Sequence, residues 1–441
     1  MAASPRDLQP VRDQSAATPA SPGVAPSRLA RKLSASDAVV MGLGAMVGAG
    51  IFAVIGPAVA IAGSGALVAL LLAALVAFCN ATSSAQLAAL YPESGGAYVY
   101  GRRRLGPFWG YLAGWGFVVG KLASCTAMAL TFASYVAPTL MRPLAVAAVL
   151  ALTVVNLLGV KKTARLTRWI VAVVLLALAA VIAAVLLGGE ASFTRLTAAL
   201  DWRPQAILQA AGLWFFAFSG YARLATLGEE VVDPSRTIPR AIPLALGLTL
   251  ILYLAVALSA LLAVDAEVLG QAPAPLVTAM QAGRFAAWSP IVQIGAAVAS
   301  LGVLLSLIVG VSRTTFAMAA NRDLPPWFAS VHPRTQVPHR AELAVGLIVA
   351  VLVALGDLRS AIGFSAFTVL LYYAVTNAAA LRLAPAERRW PGGLAVAGLL
   401  GCVLLAFSLP PASVLGGGLV LLIGAGLYGF SRAAAPRPWW R

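Results

Sequence analysis

Residues 38–61 read AVVMGLGAMVGAGIFAVIGPAVAI. They are apolar throughout and long enough to cross the ~30 Å hydrocarbon layer of a bilayer as a helix. Their centre, however, is Gly48-Ala49-Gly50, followed by Ile51-Phe52, with Gly42, Gly44 and Gly56 close by. Glycine is a poor helix former and lets other backbone approach closely, so the pattern predicts a helix that opens at membrane depth. Freed N–H and C=O groups are tolerated in lipid only where they face protein or a watery cavity. Two readings stand at this point. The helix is broken and its backbone binds something small and charged, or the glycines form a small-residue packing face between helices.

A second stretch favours the first reading. Residues 212–228, GLWFFAFSGYARLATLG, are apolar and aromatic, then interrupted at Ser219-Gly220. Twelve apolar spans are expected, at 38–61, 65–90, 108–137, 144–159, 167–188, 206–227, 240–263, 289–319, 342–356, 361–382, 393–409 and 413–430. The two interrupted spans are the first and the sixth, so each opens a half of five. Glycine-interrupted spans in corresponding positions of two halves point to an inverted-repeat transporter with its site at the bilayer midplane. An odd repeat length sets the second half upside down relative to the first. The expected organisation is a disordered tail over 1–32, a first repeat over 33–190, a second over 191–385, and two additional helices in 386–441.

Composition agrees with an all-α polytopic membrane protein. The chain is 61% hydrophobic and only 10% charged, against about 25% charged in soluble domains. Its formal charge of +16 does not point to nucleic acid, because the basic residues sit in short loops between apolar runs. Alternating the spans from an inside N-terminus leaves only Arg142, Arg195, Arg203, Arg284 and Arg359 outside. Such a bias predicts both termini in the cytoplasm and a place in the cytoplasmic membrane. No short apolar region with a cleavage site precedes the first span, so no signal peptide is expected. Cys79, Cys125 and Cys402 lie in apolar runs without metal spacing, and neither a metal nor a cofactor is expected.

Two loops carry more than punctuation. Residues 91–100, YPESGGAYVY, read as a turn into an interfacial segment, with Tyr98 and Tyr100 followed by Arg102–Arg104. Tyrosine and arginine at a headgroup boundary need no functional explanation. Residues 228–240, GEEVVDPSRTIPR, place Glu229 and Glu230 just after the sixth span. Acids at a helix C-terminus oppose its dipole, so both need cationic partners, in this loop or among Arg102–Arg104. They read either as a solvated loop or as a cytoplasmic gate.

Four motifs in order resemble the amino acid–polyamine–organocation permeases: GAMVGAGIF (44–52), YPESGGAYVYGRRRLG (91–106), FFAFSGYARLATLGEEVVDPSRTIPRAI (215–242) and SRTTFAMAANRDLPPWFASVHPR (312–334). The resemblance spans about residues 36–385. It implies the sodium-symporter type of five-plus-five inverted repeat, alternating access and an amino-acid-like substrate at the breaks of the first and sixth spans. By the same resemblance, the substrate carboxylate meets backbone N–H groups of Val47, Gly48, Ala49 and Gly50, where a helix N-terminus favours an anion. The amino group meets carbonyls near Ala45 and Met46 and across Phe215, Phe216, Ala217 and Phe218, with Phe216 over the substrate side chain.

Two departures concern coupling. Some proton-coupled members of that family carry a lysine in the fifth span, and the matching residue here is Val174. Lys121 instead stands about fourteen residues into the third span, ~20 Å along its helix at ~1.5 Å per residue. An ammonium at that depth marks a pathway, a relay or a counter-ion. Lys121 is therefore the expected proton-coupling residue, with a fixed charge that meets an acidic substrate or replaces a sodium ion electrostatically as the competing role. The function expected is secondary active transport of an amino acid or related amine, driven by protons; an exchanger without proton coupling, or a channel or sensor on the same fold, is the alternative. No acidic side chain stands in the expected site, so a neutral amino acid suits it better than a cationic one. An intramembrane enzyme would need a nucleophile and base at depth, but His332 and His339 both fall in one basic loop.

Overall fold

The computed structural model describes residues 34–48, 50–91, 95–159, 164–189, 191–198, 202–221, 224 and 231–434. The described residues form helices and connecting turns, with no strand among them. Two helices replace the first span, α1 (Ala35–Met46) and α2 (Gly50–Ala62), with axes 41° apart. They are followed by α3 (Ala66–Leu90), a short α4 (Ala97–Arg104), α5 (Pro107–Val136), α6 (Met141–Leu157) and α7 (Ala164–Gly188). After α8 (Phe193–Ala198), helix α9 (Pro204–Phe218) runs into a 3-10 turn at Ser219–Tyr221. The rest is α10 (Pro234–Ala263), α11 (Ala266–Gln271), α12 (Pro275–Gln281), α13 (Ser289–Ala320), α14 (His339–Leu355), α15 (Leu358–Leu381), α16 (Gly392–Ser408) and α17 (Pro411–Ala434).

Among the described residues, eight helical segments are long and apolar enough to cross a membrane, and the bent α1–α2 pair makes a ninth. The other three expected spans fall on α9, α14 and α16, with 15, 17 and 17 residues. At ~1.5 Å per residue these are shorter than the ~30 Å hydrocarbon layer. The bundle is layered by burial. In the most apolar stretch of α5, 83% of residues are buried, against 17% in α17, so α5 is central and α17 lies at the rim. Helix α5 packs against α13 and α15, while α2 and α3 pack against α9.

The connections gather at two ends. At one, Arg168 pairs with Asp37, Arg102 with Asp323, and Arg104 Nη2 with Glu387 Oε1 at 2.5 Å. The Arg389 N–H donates to Gln86 Oε1 at 3.3 Å, and its guanidinium to the Ser235 carbonyl. At the other, Ser64 Oγ donates to the Leu196 carbonyl (2.7 Å), Arg195 Nη1 to Leu262 (2.8 Å) and Arg359 Nη2 to Gly270 (2.6 Å). Loops expected on the same side of the membrane therefore touch one another.

Tyr98 and Tyr100 differ from the interfacial reading. Both are buried in protein, because α4 folds back along α5 and brings its tyrosine face inward. Tyr98 Oη donates to Asp323 Oδ2 at 2.7 Å and accepts from Asn321 Nδ2 at 2.9 Å. Burial, reinforced by the adjacent Asp323 carboxylate, pushes the Tyr98 phenol up to about 12, so it stays a neutral donor at working pH.

Candidate functional site

The two interrupted helices meet at their interruptions. Helix α1 ends at Met46, with the Val47 N–H closing back on the Leu43 carbonyl at 2.7 Å. Helix α2 starts afresh at Gly50, and its first turn, Gly50 to Ala53, is wholly buried. A new helix start leaves N–H groups without intrahelical acceptors. Among the described residues, none outside α2 supplies an acceptor to the N–H groups of Gly50, Ile51 or Phe52. Buried donors of this kind are uncommon and call for an acceptor.

Helix α9 ends at Phe218, where the Ser219 N–H bonds the Phe215 and Phe216 carbonyls and Ser219 Oγ donates to the Phe216 carbonyl at 2.8 Å. The following Gly220 lies directly on the end of α1. A Cβ there would stand 2.5 Å from the Ala45 carbonyl carbon and 2.8 Å from the Met46 nitrogen, so only glycine permits this backbone-to-backbone approach. At the start of α2, a Cβ on Gly50 would stand 2.7 Å from Ala217 Cα. Each interruption is therefore packed against the other through a glycine.

Tyr253 of α10 ties the pair together, and the sequence reading missed it. Its hydroxyl donates to the Met46 carbonyl at 2.5 Å and lies 3.4 Å from the Ala217 carbonyl. One side chain thus reaches the C-terminal carbonyls of both α1 and α9. A carbonyl oxygen has two lone pairs, so Tyr253 leaves Met46 able to accept from a second donor. Tyr253→Phe should leave a buried carbonyl short of its donor, at a cost of roughly 1–3 kcal/mol. The expected outcome is a lower melting temperature of the detergent-solubilised protein together with slower uptake; an unchanged melting curve and rate would contradict the bridging role.

Ala45, Met46, Val47, Gly48 and Gly50 line the α1–α2 interruption, whereas Ala49 lies outside the described residues. Phe215, Phe216, Ala217 and Phe218 form the last turn of α9 and are buried. Phe215 meets Tyr373 edge-on and Phe218 meets Tyr253. Lys121 of α5 comes to the same place, with Nζ 3.3 Å from Ser219 Oγ and 5.9 Å from the centre of the Phe117 ring. Val174 is buried on α7, one turn beyond Val171, whose side chain packs on Gly44 of α1.

Glu229 and Glu230 lie outside the described residues. Two of the arginines considered as their partners have other anions. Arg102 pairs with Asp323 just beyond α13, and Arg104 with Glu387 in the turn after α15. Hydrogen bonding from Arg104 holds the Glu387 carboxyl below the usual carboxylate range. Asp323 was legible only as part of NRDLPP, since nothing local ties it to α4, 221 residues earlier.

The model of the amino acid permease family matches residues 37–415. The chain is 58% identical over 419 residues to the uncharacterized transporter Rv1999c of Mycobacterium tuberculosis, covering 95% of each protein. It is 25% identical over 438 residues to the branched-chain amino acid permease BcaP of Bacillus subtilis, covering 91% of this chain and 92% of that one. It is 28% identical over 397 residues to the chloroplastic cationic amino acid transporter 7 of Arabidopsis thaliana, covering 81% of this chain and 66% of that one.

Proposed function

The chain belongs to the amino acid permease family, and we propose that it carries an amino acid across the cytoplasmic membrane by alternating access at the paired interruptions. It is a multi-pass membrane transporter and not an enzyme. One observation carries the reading: the buried N–H groups of Gly50, Ile51 and Phe52 without an outside acceptor, set beside the carbonyl-rich end of α9. A zwitterion fits that pairing. Its carboxylate takes the positive end of α2, and its ammonium takes carbonyls of Ala45, Met46 and the Phe215–Phe218 turn. The names of relatives, an amino acid permease and a cationic amino acid transporter, agree with an amino-acid-like substrate.

The proposed frame is twelve crossings, with 33–190 and 191–385 as inverted repeats, 386–441 as two additional helices, and both termini cytoplasmic. Two features support it. The loops expected on each side gather at opposite ends, and the Arg102–Arg104 run marks the cytoplasmic one. The second helix of each half is also followed by short helices, α4 after α3 and α11–α12 after α10. Helix α4 belongs to the arginine-rich end and α11 to the other, as inversion requires. The loop bearing Glu229 and Glu230 completes the cytoplasmic gate in this reading.

Lys121 is the proposed proton-coupling group. It is buried in the middle of α5, and its ammonium touches the Ser219 hydroxyl at the end of α9. A proton gained or lost there alters contacts at the interruption itself, whereas the family's other lysine position is filled by Val174.

Uptake of a labelled amino acid panel into proteoliposomes tests the function, under an imposed pH gradient, a sodium gradient, or neither. Saturable accumulation under the pH gradient is expected. Counterflow without accumulation would replace the symporter by an exchanger, and no uptake above empty vesicles would overturn the proposal. Phe216 refines the test, because an aromatic over the ligand removes apolar area from water and faces the ammonium. Phe216→Ala should weaken binding by roughly 1–3 kcal/mol, the value of one buried aromatic side chain. Binding unchanged in affinity and selectivity would make Phe216 a packing residue only.

A further inference from the structure

Lys121 is only 6% exposed, and no ion pair among the described residues includes it. An ammonium has three N–H donors, and among the described residues Ser219 Oγ is the one hydrogen-bond acceptor that meets it. The Phe117 face alone lies on another side. A buried cation held by one hydroxyl and one ring lacks the anion that such groups require.

A polar cleft stands at the outer ends of α2 and α9. Helix α2 runs from the interruption at Gly50 out to Ala62, and α9 runs from Pro204 in to Phe218. Between their outer ends, α11 and the start of α15 lies an open cleft of about 620 Å³. Its charged lining is Arg203, Arg359 and Glu267. Arg359 is fixed by donating to the Gly270 carbonyl at 2.6 Å.

We infer that the substrate is an acidic amino acid, whose side-chain carboxylate pairs with the Lys121 ammonium beside Ser219 at the α9 interruption. This rests on the amino acid transport reading and goes further than the preference for neutral over cationic substrates. The α-carboxylate takes the start of α2, and the second carboxylate takes the donors of Lys121 that Ser219 leaves open. Cationic amino acids are excluded by like charge at Lys121. The proton on Lys121 and the negative charge of the ligand enter the site together, so the ion pair forms within the loaded carrier.

The test is ligand-induced thermal stabilisation and competition for uptake, using the full-length protein with L-glutamate, L-aspartate, L-glutamine, L-leucine and L-arginine. The wild type should bind an acidic amino acid at least roughly tenfold more tightly than L-glutamine, as a charge-assisted hydrogen bond predicts, and should ignore L-arginine. Lys121→Gln should reduce that preference to about twofold or less by removing the same bond. Lys121→Arg should keep part of it. A wild type that prefers neutral or cationic amino acids overturns this inference while leaving amino acid transport standing. Binding of no amino acid of any charge overturns the transport reading itself. Because the wild-type panel decides the charge preference, the result does not depend on the variants folding.

Discussion

Gly50→Val is expected to abolish substrate binding while the protein still inserts and purifies. The first carbon alone would stand 2.7 Å from Ala217 Cα, 2.8 Å from Ala217 Cβ and 3.0 Å from Tyr253 Oη. Two of these atoms belong to the last turn of α9 and cannot swing away like the tip of a long side chain. Forcing that contact open costs about 1–3 kcal/mol by the usual penalty for overpacking, and the two further methyl groups of valine add to it. The added carbons also stand at the start of α2, where the substrate carboxylate must approach the backbone. Gly247→Val is the control. Gly247 lies on an exposed face of α10 with open space around its missing Cβ, so uptake there should stay near wild type. Binding in Gly50→Val equal to that of the control would remove this interruption from the site.

The second large effect is expected at Lys121. Lys121→Met keeps a side chain of similar length in a buried position and removes an ammonium that is costly at membrane depth. The fold should survive, and the melting temperature should hold or rise. Exchange of the amino acid that the variant binds best should persist, because the N–H groups of α2 and the carbonyl end of α9 are untouched. Accumulation driven by a pH gradient should be lost. If Lys121→Met still concentrates substrate under that gradient, with an unchanged pH profile, the proton does not travel through this residue.

The parts of the site that were legible in the sequence are those that break a local rule. Glycines inside an apolar span, Ser219-Gly220 in an aromatic one, and a lysine in the middle of a third all stand out, because helix propensity and lipid solvation disfavour them. Tyr253 breaks no such rule. A tyrosine in ILYLAV reads as ordinary packing, and its bond to Met46 joins residues 207 positions apart. The same holds for Tyr98, Arg102 and Asp323, whose association depends on α4 folding back on α5. Helices α4, α11 and α12 escaped notice because six to eight residues are too few to carry a helical period. Their positions nonetheless support the inversion that the paired interruptions suggest.

The central claim is that substrate binds where the interruption of α1–α2 meets the end of α9. Its most direct test is an electron cryomicroscopy reconstruction of the full-length protein, in the presence and absence of the amino acid that uptake identifies. Ligand density is expected between residues 47–50 and 215–219, with a carboxylate at the start of α2 and Tyr253 at its edge. Ligand density confined to another cavity, with Tyr253, Gly220 and Gly50 packed as they are without substrate, would contradict it.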